Sequence, residues 1–499
     1  MIVPGKTYPN PYDFGKWRTA SGCLVSDEWQ DILKTANQKK GPANRGRAYY
    51  CSLMDMAWLV CLEQAGLVDD KLAKKVLAAL KKIRDDGSGW GGEVSLIPAL
   101  DGDEDSGSIV NLGRTLQEPM ARMMTRDEIL DFADHVLKLE QTLLDLIAEH
   151  ADTLMPGHTH FSQANPITLG SFLLAVFEEL NRGLSLLEHG YRDTDRNTGG
   201  CGATSGTAWP VDRQLLTELL GFAELSEPVY EGEASQDHTL TVHYAMSNIC
   251  MLISKASSNF EIWGIDEIGM VDLDPSWHGV SSCMPQKSHA GSIYEWMRVM
   301  TARVIGTMSE EVSLYKGEFH GDVMSMLNMC NGFNTFDATG CVRMFEGAMR
   351  NLIVHKDRML QYVRDGYSCA TELAVLLIKE KGYGSRRAHR IVATMIRHAK
   401  EQGIKPYECT AEMLDAAAVE VEDVPPKVST ADIVKALDPE EFLKTHIHIG
   451  GVAPQETMRL HAKRVKVVEE NLKRQQARRD AINKGYKYLE SEVERILNK

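Results

Sequence analysis

The sequence predicts an all-α protein built around a long helical bundle. Three observations carry that expectation. Five long apolar segments, 125–146, 166–187, 238–268, 292–315 and 322–352, are joined by short breakers, the pattern of a bundle. Several are apolar on more than one face. Tyr244, Met246, Ile249, Met251, Leu252 and Ile253 crowd one of them, and a helix apolar all round must be covered on every side. In a bundle this long, that favours contact with other subunits. The chain also closes with a charged amphipathic run over 454–497, read as an exposed terminal helix.

The elements follow in order. Residues 1–45 are rich in Gly, Pro, Asn and Lys and read as an extended arm. A helix over 49–65 stops at Gly66. Asp69 or Asp70 can cap the next, where Leu72, Val76, Leu77 and Leu80 recur at helical spacing. Residues 85–110 are glycine- and acid-rich and read as loop. Thr125-Arg126-Asp127-Glu128 matches a capping box ahead of Ile129, Phe132 and Val136. Past residue 370 the helices shorten. Ser385 can cap 386–402, and residues 420–427, with two prolines, read as a loop.

Composition narrows the function. The chain has 499 residues, enough for about three domains or one elongated assembly. A net charge of -15 argues against non-specific nucleic-acid binding. Ten cysteines are dispersed with no C-x-x-C, so neither a disulfide framework nor a zinc ribbon is expected. The first residues lack an apolar signal core, and no run approaches a membrane span. A cytoplasmic protein with no membrane association is the expectation.

The most informative stretch is Gly279-Val280-Ser281-Ser282-Cys283-Met284-Pro285-Gln286-Lys287-Ser288-His289. This polar run, bounded by Gly279 and Gly291, reads as an exposed loop. A serine can act as a base if a cation and backbone N–H groups stabilise its oxyanion. Lys287 offers that cation, or could clamp a substrate carboxylate as a point charge. A solvated loop with an incidental lysine is the bland alternative. Elsewhere, His158-Thr159-His160 places two histidines round a threonine. No further ligands are spaced for a metal, whereas histidine can move a proton near neutral pH. The glycine-rich 199–206 lacks the lysine of a phosphate loop.

The serine loop resembles the G-S-S-x-M-P-x-K-x-N pattern of the aspartase/fumarase superfamily, matched by Ser281, Ser282, Met284, Pro285 and Lys287. The stretch from Met155 to Pro166 is similar to the P-G-Y-T-H-L-Q-x-A-Q-P block of its argininosuccinate lyase-like branch. Ala370-Thr371-Glu372-Leu373-Ala374 and Gly450-Gly451-Val452-Ala453-Pro454 resemble later blocks, in the same order. The resemblance implies a three-domain lyase, divided here as 1–115, 116–369 and 370–499. It also implies a homotetramer with a helical core from four chains and active sites shared between subunits. Ser281 would be the base and His160 would assist proton transfer. Thr159, Ser282, Lys287 and Arg114 would hold carboxylates. Glycines 199–206, ahead of Asp212-Arg213, would form a tight turn near the site.

Departures from the branch are informative. Its G-R-S-R-N-D clamp corresponds to Gly113-Arg114-Thr115-Leu116-Gln117-Glu118. Thr115 and Gln117 would still face substrate, but leucine cannot grip a carboxylate as arginine does. Lys316 is one cation that could move in. His289 replaces an asparagine, and His320 replaces a glutamine in the segment from Tyr315 to Val323. Tyr315, His320 and His289 are read as substrate-binding. These changes argue against argininosuccinate itself. The expected activity is reversible β-elimination from a small carboxylate of succinyl-amine type, with no cofactor. A lyase or cycloisomerase on another carboxylate, such as an aminopolycarboxylate, stays open, as does an inactive structural protein on the same scaffold.

Overall fold

A computed structural model describes residues 26–36, 47–86, 91–115, 119–279, 284, 291–317, 319 and 335–499. Helices α1 (Asp27–Ala36), α2 (Arg47–Gln64) and α3 (Asp70–Asp86) come first. Part of the expected arm is therefore helical. Trp29 and Ile32 of α1 are buried in the central core, and Glu28 and Asp31 pair with Arg350 and Arg343. Helix α2 is buried along almost its whole length. It stops where Gly66 turns left-handed at φ 69, a backbone that glycine adopts without strain. Asp69 caps α3 by accepting from the Leu72 N–H at 2.8 Å.

Residues 85–110 are less loop-like than their composition suggests. They hold α4 (Glu93–Ala99), α5 (Glu104–Gly107) and a 3₁₀ turn at Ser108–Asn111. Asp103, one of the acids read as loop, caps α5: its side chain accepts from the Ser106 N–H. Leu96, Leu100 and Val110 seal this segment onto the N-terminal core.

The bundle is formed by α6 (Met120–Glu149), α7 (Leu169–Thr194), α10 (Asp237–Trp263), α11 (Ser292–Tyr315) and α12 (Thr335–Arg350). Two short helices, α8 (Arg213–Leu219) and α9 (Val229–Ala234), lie between α7 and α10. The capping box expected at Thr125 lies inside α6, which starts five residues earlier. Met120 and Met123 bury against the N-terminal core, and Asp127 is taken by the Tyr50 hydroxyl at 2.7 Å. The segment 166–187 is also not one helix. Strands β1 (Leu154–Thr159) and β2 (Ser162–Thr168) form an antiparallel hairpin, and α7 begins only at Leu169. Thr168 and Ser171 supply its capping box. The last bundle helix ends at Arg350, because Leu352–Val354 pairs as a strand with Val271–Leu273. The 322–334 part of that expected helix lies outside the described residues.

The chain continues as α13 (Lys356–Asp365), α14 (Ala370–Lys381), α15 (Ser385–Glu401), α16 (Ala411–Glu420), α17 (Thr430–Ala436) and α18 (Pro439–Thr445). It closes with α19 (Pro454–Leu497). Gly384, not Ser385, is the N-cap of α15. Residues from Leu373 to Leu437 share a core of their own. Helix α19 is not merely exposed. Val468 and Ile482 enter the central core, Leu489, Val493 and Ile496 the N-terminal one, and Gln475 donates to the Leu130 carbonyl at 2.7 Å. The fold is mostly helical, and no described helix is long and apolar enough to cross a membrane.

Candidate active site

The bundle has two ends, and the expected site residues divide between them. Helix α6 has 30 residues, which makes it about 45 Å long at the usual rise. Its near end is where it starts. There α7 finishes: Arg122 of α6 donates to the Asp193 carbonyl at 2.6 Å, and Arg126 pairs with Asp195 at 2.9 Å. There α10 starts and α11 stops: His243, early in α10, pairs with Glu311, late in α11, at 2.6 Å, and the Tyr315 phenol lies near the backbone N–H groups of Gln236 and Asp237. Burial, then the Asp237 carboxylate, push the Tyr315 pKa up.

Arg114 and Thr115 lie just before α6, at the same near end. Arg114 is buried and points inward. Its guanidinium pairs with Asp55, which is 0% exposed, and donates to the carbonyls of Val110 at 2.7 Å and Thr115 at 3.0 Å. Burial pushes Asp55 up to about 6 although Arg114 pulls it down. The arginine is thus spent on bracing the 110–115 segment. Thr115 Oγ1 is buried without a partner. Residues just past the glycine turn lie against this segment: a Cβ on Gly113 would meet Thr207 Oγ1 at 2.6 Å. Arg213 braces that turn through the Gly199 carbonyl at 2.8 Å.

The far end carries the hairpin. Gly170 donates to the His150 carbonyl at 2.9 Å, which fastens the hairpin base to the end of α6. At the tip, His160 and Phe161 both have positive φ, 53 and 56, the backbone of a two-residue hairpin turn. Thr159 and His160 are exposed there, and Phe161 is 92% exposed. Gln163 donates to the Tyr362 carbonyl at 3.0 Å, and the Tyr362 hydroxyl to the Glu267 carbonyl at 2.9 Å. The hairpin and the 264–291 connection therefore share the far end.

That connection holds the serine loop. Ser281, Ser282, Lys287 and His289 lie outside the described residues, as do Gln117 and His320, but the loop's flanks are placed. His278, one residue before Gly279, bonds to Asp272 Oδ1 at 3.1 Å and the Leu273 carbonyl at 2.9 Å. Gly291 caps α11. So Thr159, His160 and the loop's stems are brought to one end, and Arg114, Thr115 and Tyr315 to the other.

Three features escaped the sequence reading. Asp55 interrupts the apolar run from Leu53 to Val60, a signal that a buried partner is needed. His243 and Glu311 form a buried 2.6 Å pair between α10 and α11. Arg122 is buried in the first turn of α6; nothing in its spacing marks it. Among the described residues no His, Cys, Asp and Glu cluster is arranged to hold a metal ion.

Comparison with known proteins identifies the family. A family model described as a lyase matches residues 104–306, and one described as the argininosuccinate lyase C-terminal region matches residues 367–444. Argininosuccinate lyase of Methanosarcina mazei is 30% identical over 460 residues, covering 89% of this chain and 92% of that protein. Argininosuccinate lyase 1 of Shouchella clausii is 29% identical over 430 residues, covering 82% and 85%. A solved EDDS lyase variant with bound fumarate superposes with a TM-score of 0.89 at 25% identity, over 97% of this chain and 98% of that one. The chain belongs to the argininosuccinate lyase-like branch of the aspartase/fumarase superfamily, and is a carbon–nitrogen lyase of the fumarate-releasing class.

Proposed function

We propose that the protein splits the C–N bond of an N-substituted aspartate, reversibly, giving fumarate and an amine other than that of argininosuccinate. Ser281 takes a proton from the carbon beside a carboxylate, and that carboxylate accepts the charge as an aci-anion. The anion then expels the amine from the neighbouring carbon, with His160 assisting its protonation. Lys287, Ser282 and Thr159 hold the carboxylates, and Tyr315, His289 and His320 face the amine. A serine is far too weak an acid to serve unaided, so Lys287 and the loop amides must stabilise its oxyanion.

The observation that supports this reading is that the hairpin bearing Thr159 and His160 and the connection that leads to the Ser281 loop are tied to the same end of the bundle through Tyr362. The distance to the near end also supports a shared site. About 45 Å of helix separates Tyr315 from His160, so residues of the two ends can meet only between chains. Exposed apolar side chains along α10 and α11 offer the contact: Tyr244, Met251, Val299, Ile305 and Val312. The assembly we infer is a homotetramer.

A second reading has support of its own. The likeness to an EDDS lyase, together with Leu116 and His320 in place of the branch's polar pattern, favours an aminopolycarboxylate substrate. An ultraviolet assay for fumarate across a panel of N-substituted aspartates, aminopolycarboxylates included, tests both. Fumarate from wild type and none from Ser281→Ala is the expected result. A folded oligomer silent with every member would overturn the succinyl-amine reading.

A further inference from the structure

Leu116 leaves one substrate carboxylate without the arginine that the branch's pattern supplies. A different arginine follows in the first turn of α6. Pro119 caps α6, and Arg122 lies three residues on, one turn along the same face. Arg122 is 4% exposed, and it donates to a neutral group, the Asp193 carbonyl. The two neighbouring buried arginines differ: Arg114 is paired with Asp55 and Arg126 with Asp195. Arg122 makes no ion pair among the described residues. Glu231 and Asp237 influence it only at a distance, and burial outweighs them. A buried guanidinium without a counter-charge is costly, and a carboxylate would relieve it.

The surroundings suit an anion. The 27-residue helix α10 begins here, and its N-terminus carries partial positive charge. His238, in its first turn, is 2% exposed and its Nδ1 has no partner. Arg122 and His238 are near enough for the arginine to disfavour the histidine's charged form. Neutral His238 can donate one N–H to a carboxylate oxygen.

We propose that Arg122, with His238 at the start of α10, forms the subsite for the substrate carboxylate that Leu116 no longer serves. The proposal rests on the dicarboxylate reading above. It makes Arg122 a specificity-determining residue for four-carbon diacids over monoacids.

The test is calorimetric binding of fumarate and of crotonate, its monocarboxylate counterpart, to the intact enzyme. Wild type should prefer fumarate. Arg122→Gln should weaken fumarate by about tenfold or more, the worth of a charge-assisted pair, and leave crotonate unchanged. Arg122→Lys keeps the charge without the fork and is the milder variant. It should lose part of the fumarate preference, with an unfolding midpoint near wild type. Lys316→Gln, just past the end of α11, should leave the preference intact. Unchanged fumarate affinity in either Arg122 variant, or a loss carried by Lys316→Gln instead, overturns the subsite while the proposed function stands. Wild type that binds neither acid overturns the dicarboxylate reading and the subsite with it.

Discussion

Glu140 is a carboxylate the fold would be better without. It sits on α6 at 0% exposure, and neither side-chain oxygen has a hydrogen-bond partner. Burial, with Glu178 adding to it, raises its pKa from 4.5 to about 8. The sign follows directly. The unfolded chain releases this proton near 4.5, and the native state keeps it until about 8, so the group costs stability increasingly as pH rises between those values. At 1.36 kcal/mol per unit the cost is about 3 kcal/mol at pH 7 and about 5 kcal/mol above pH 8, but under 1 kcal/mol at pH 5. Glu140→Gln keeps the shape and cannot ionise. It should therefore be more stable than wild type by roughly those amounts, read from urea unfolding at fixed protein concentration. A gain that is the same at pH 5 and pH 8.5, or a loss at both, would refute the reasoning.

Other expectations follow from the same structure. Asp55→Ala strands a buried guanidinium and should cost about 3–5 kcal/mol in urea unfolding, most of it recovered in Asp55→Leu/Arg114→Met. Gly347→Ala forces a methyl into the Trp277 indole, and overpacking should cost about 1–3 kcal/mol of thermal or urea stability. Burial opposes the charged form of His278, but the Asp272 bond and charge outweigh it and raise its pKa. The His278 contribution is therefore fully present below the unfolded histidine value and lost as pH rises through the raised one. Ring NMR titration should show the raised value, and His278→Gln should flatten the unfolding midpoint over that window.

Much of the fold was legible because helices advertise themselves. The 292–315 and 454–497 segments match the observed helices at both ends, since apolar periodicity and a flanking glycine or proline mark their limits. The hairpin was not legible. Ser162–Thr168 reads SQANPIT, without the alternation that signals a strand, and its apolar end merges into α7. The helix at 93–99 was hidden because Gly92 serves as its N-cap and Glu93 stands in its first turn. In the site, motif matching reached the loop, the hairpin tip and the 113–118 segment as separate blocks. Their division between two bundle ends depends on helix direction and length, which no motif states. Asp55 had a signal in the apolar run it interrupts, whereas Arg122 is visible only once packing shows which charges lack a partner.

Subunit complementation tests the central claim most directly. Ser281→Ala removes the proposed base, and Tyr315→Ala the phenol at the near end. Each should release little fumarate alone. Dissociated, mixed and reassembled, they should regain a substantial fraction of wild-type activity, because some sites then receive the intact far end of one chain and the intact near end of another. Mixed oligomers that stay as inactive as their parents would contradict a site shared between chains.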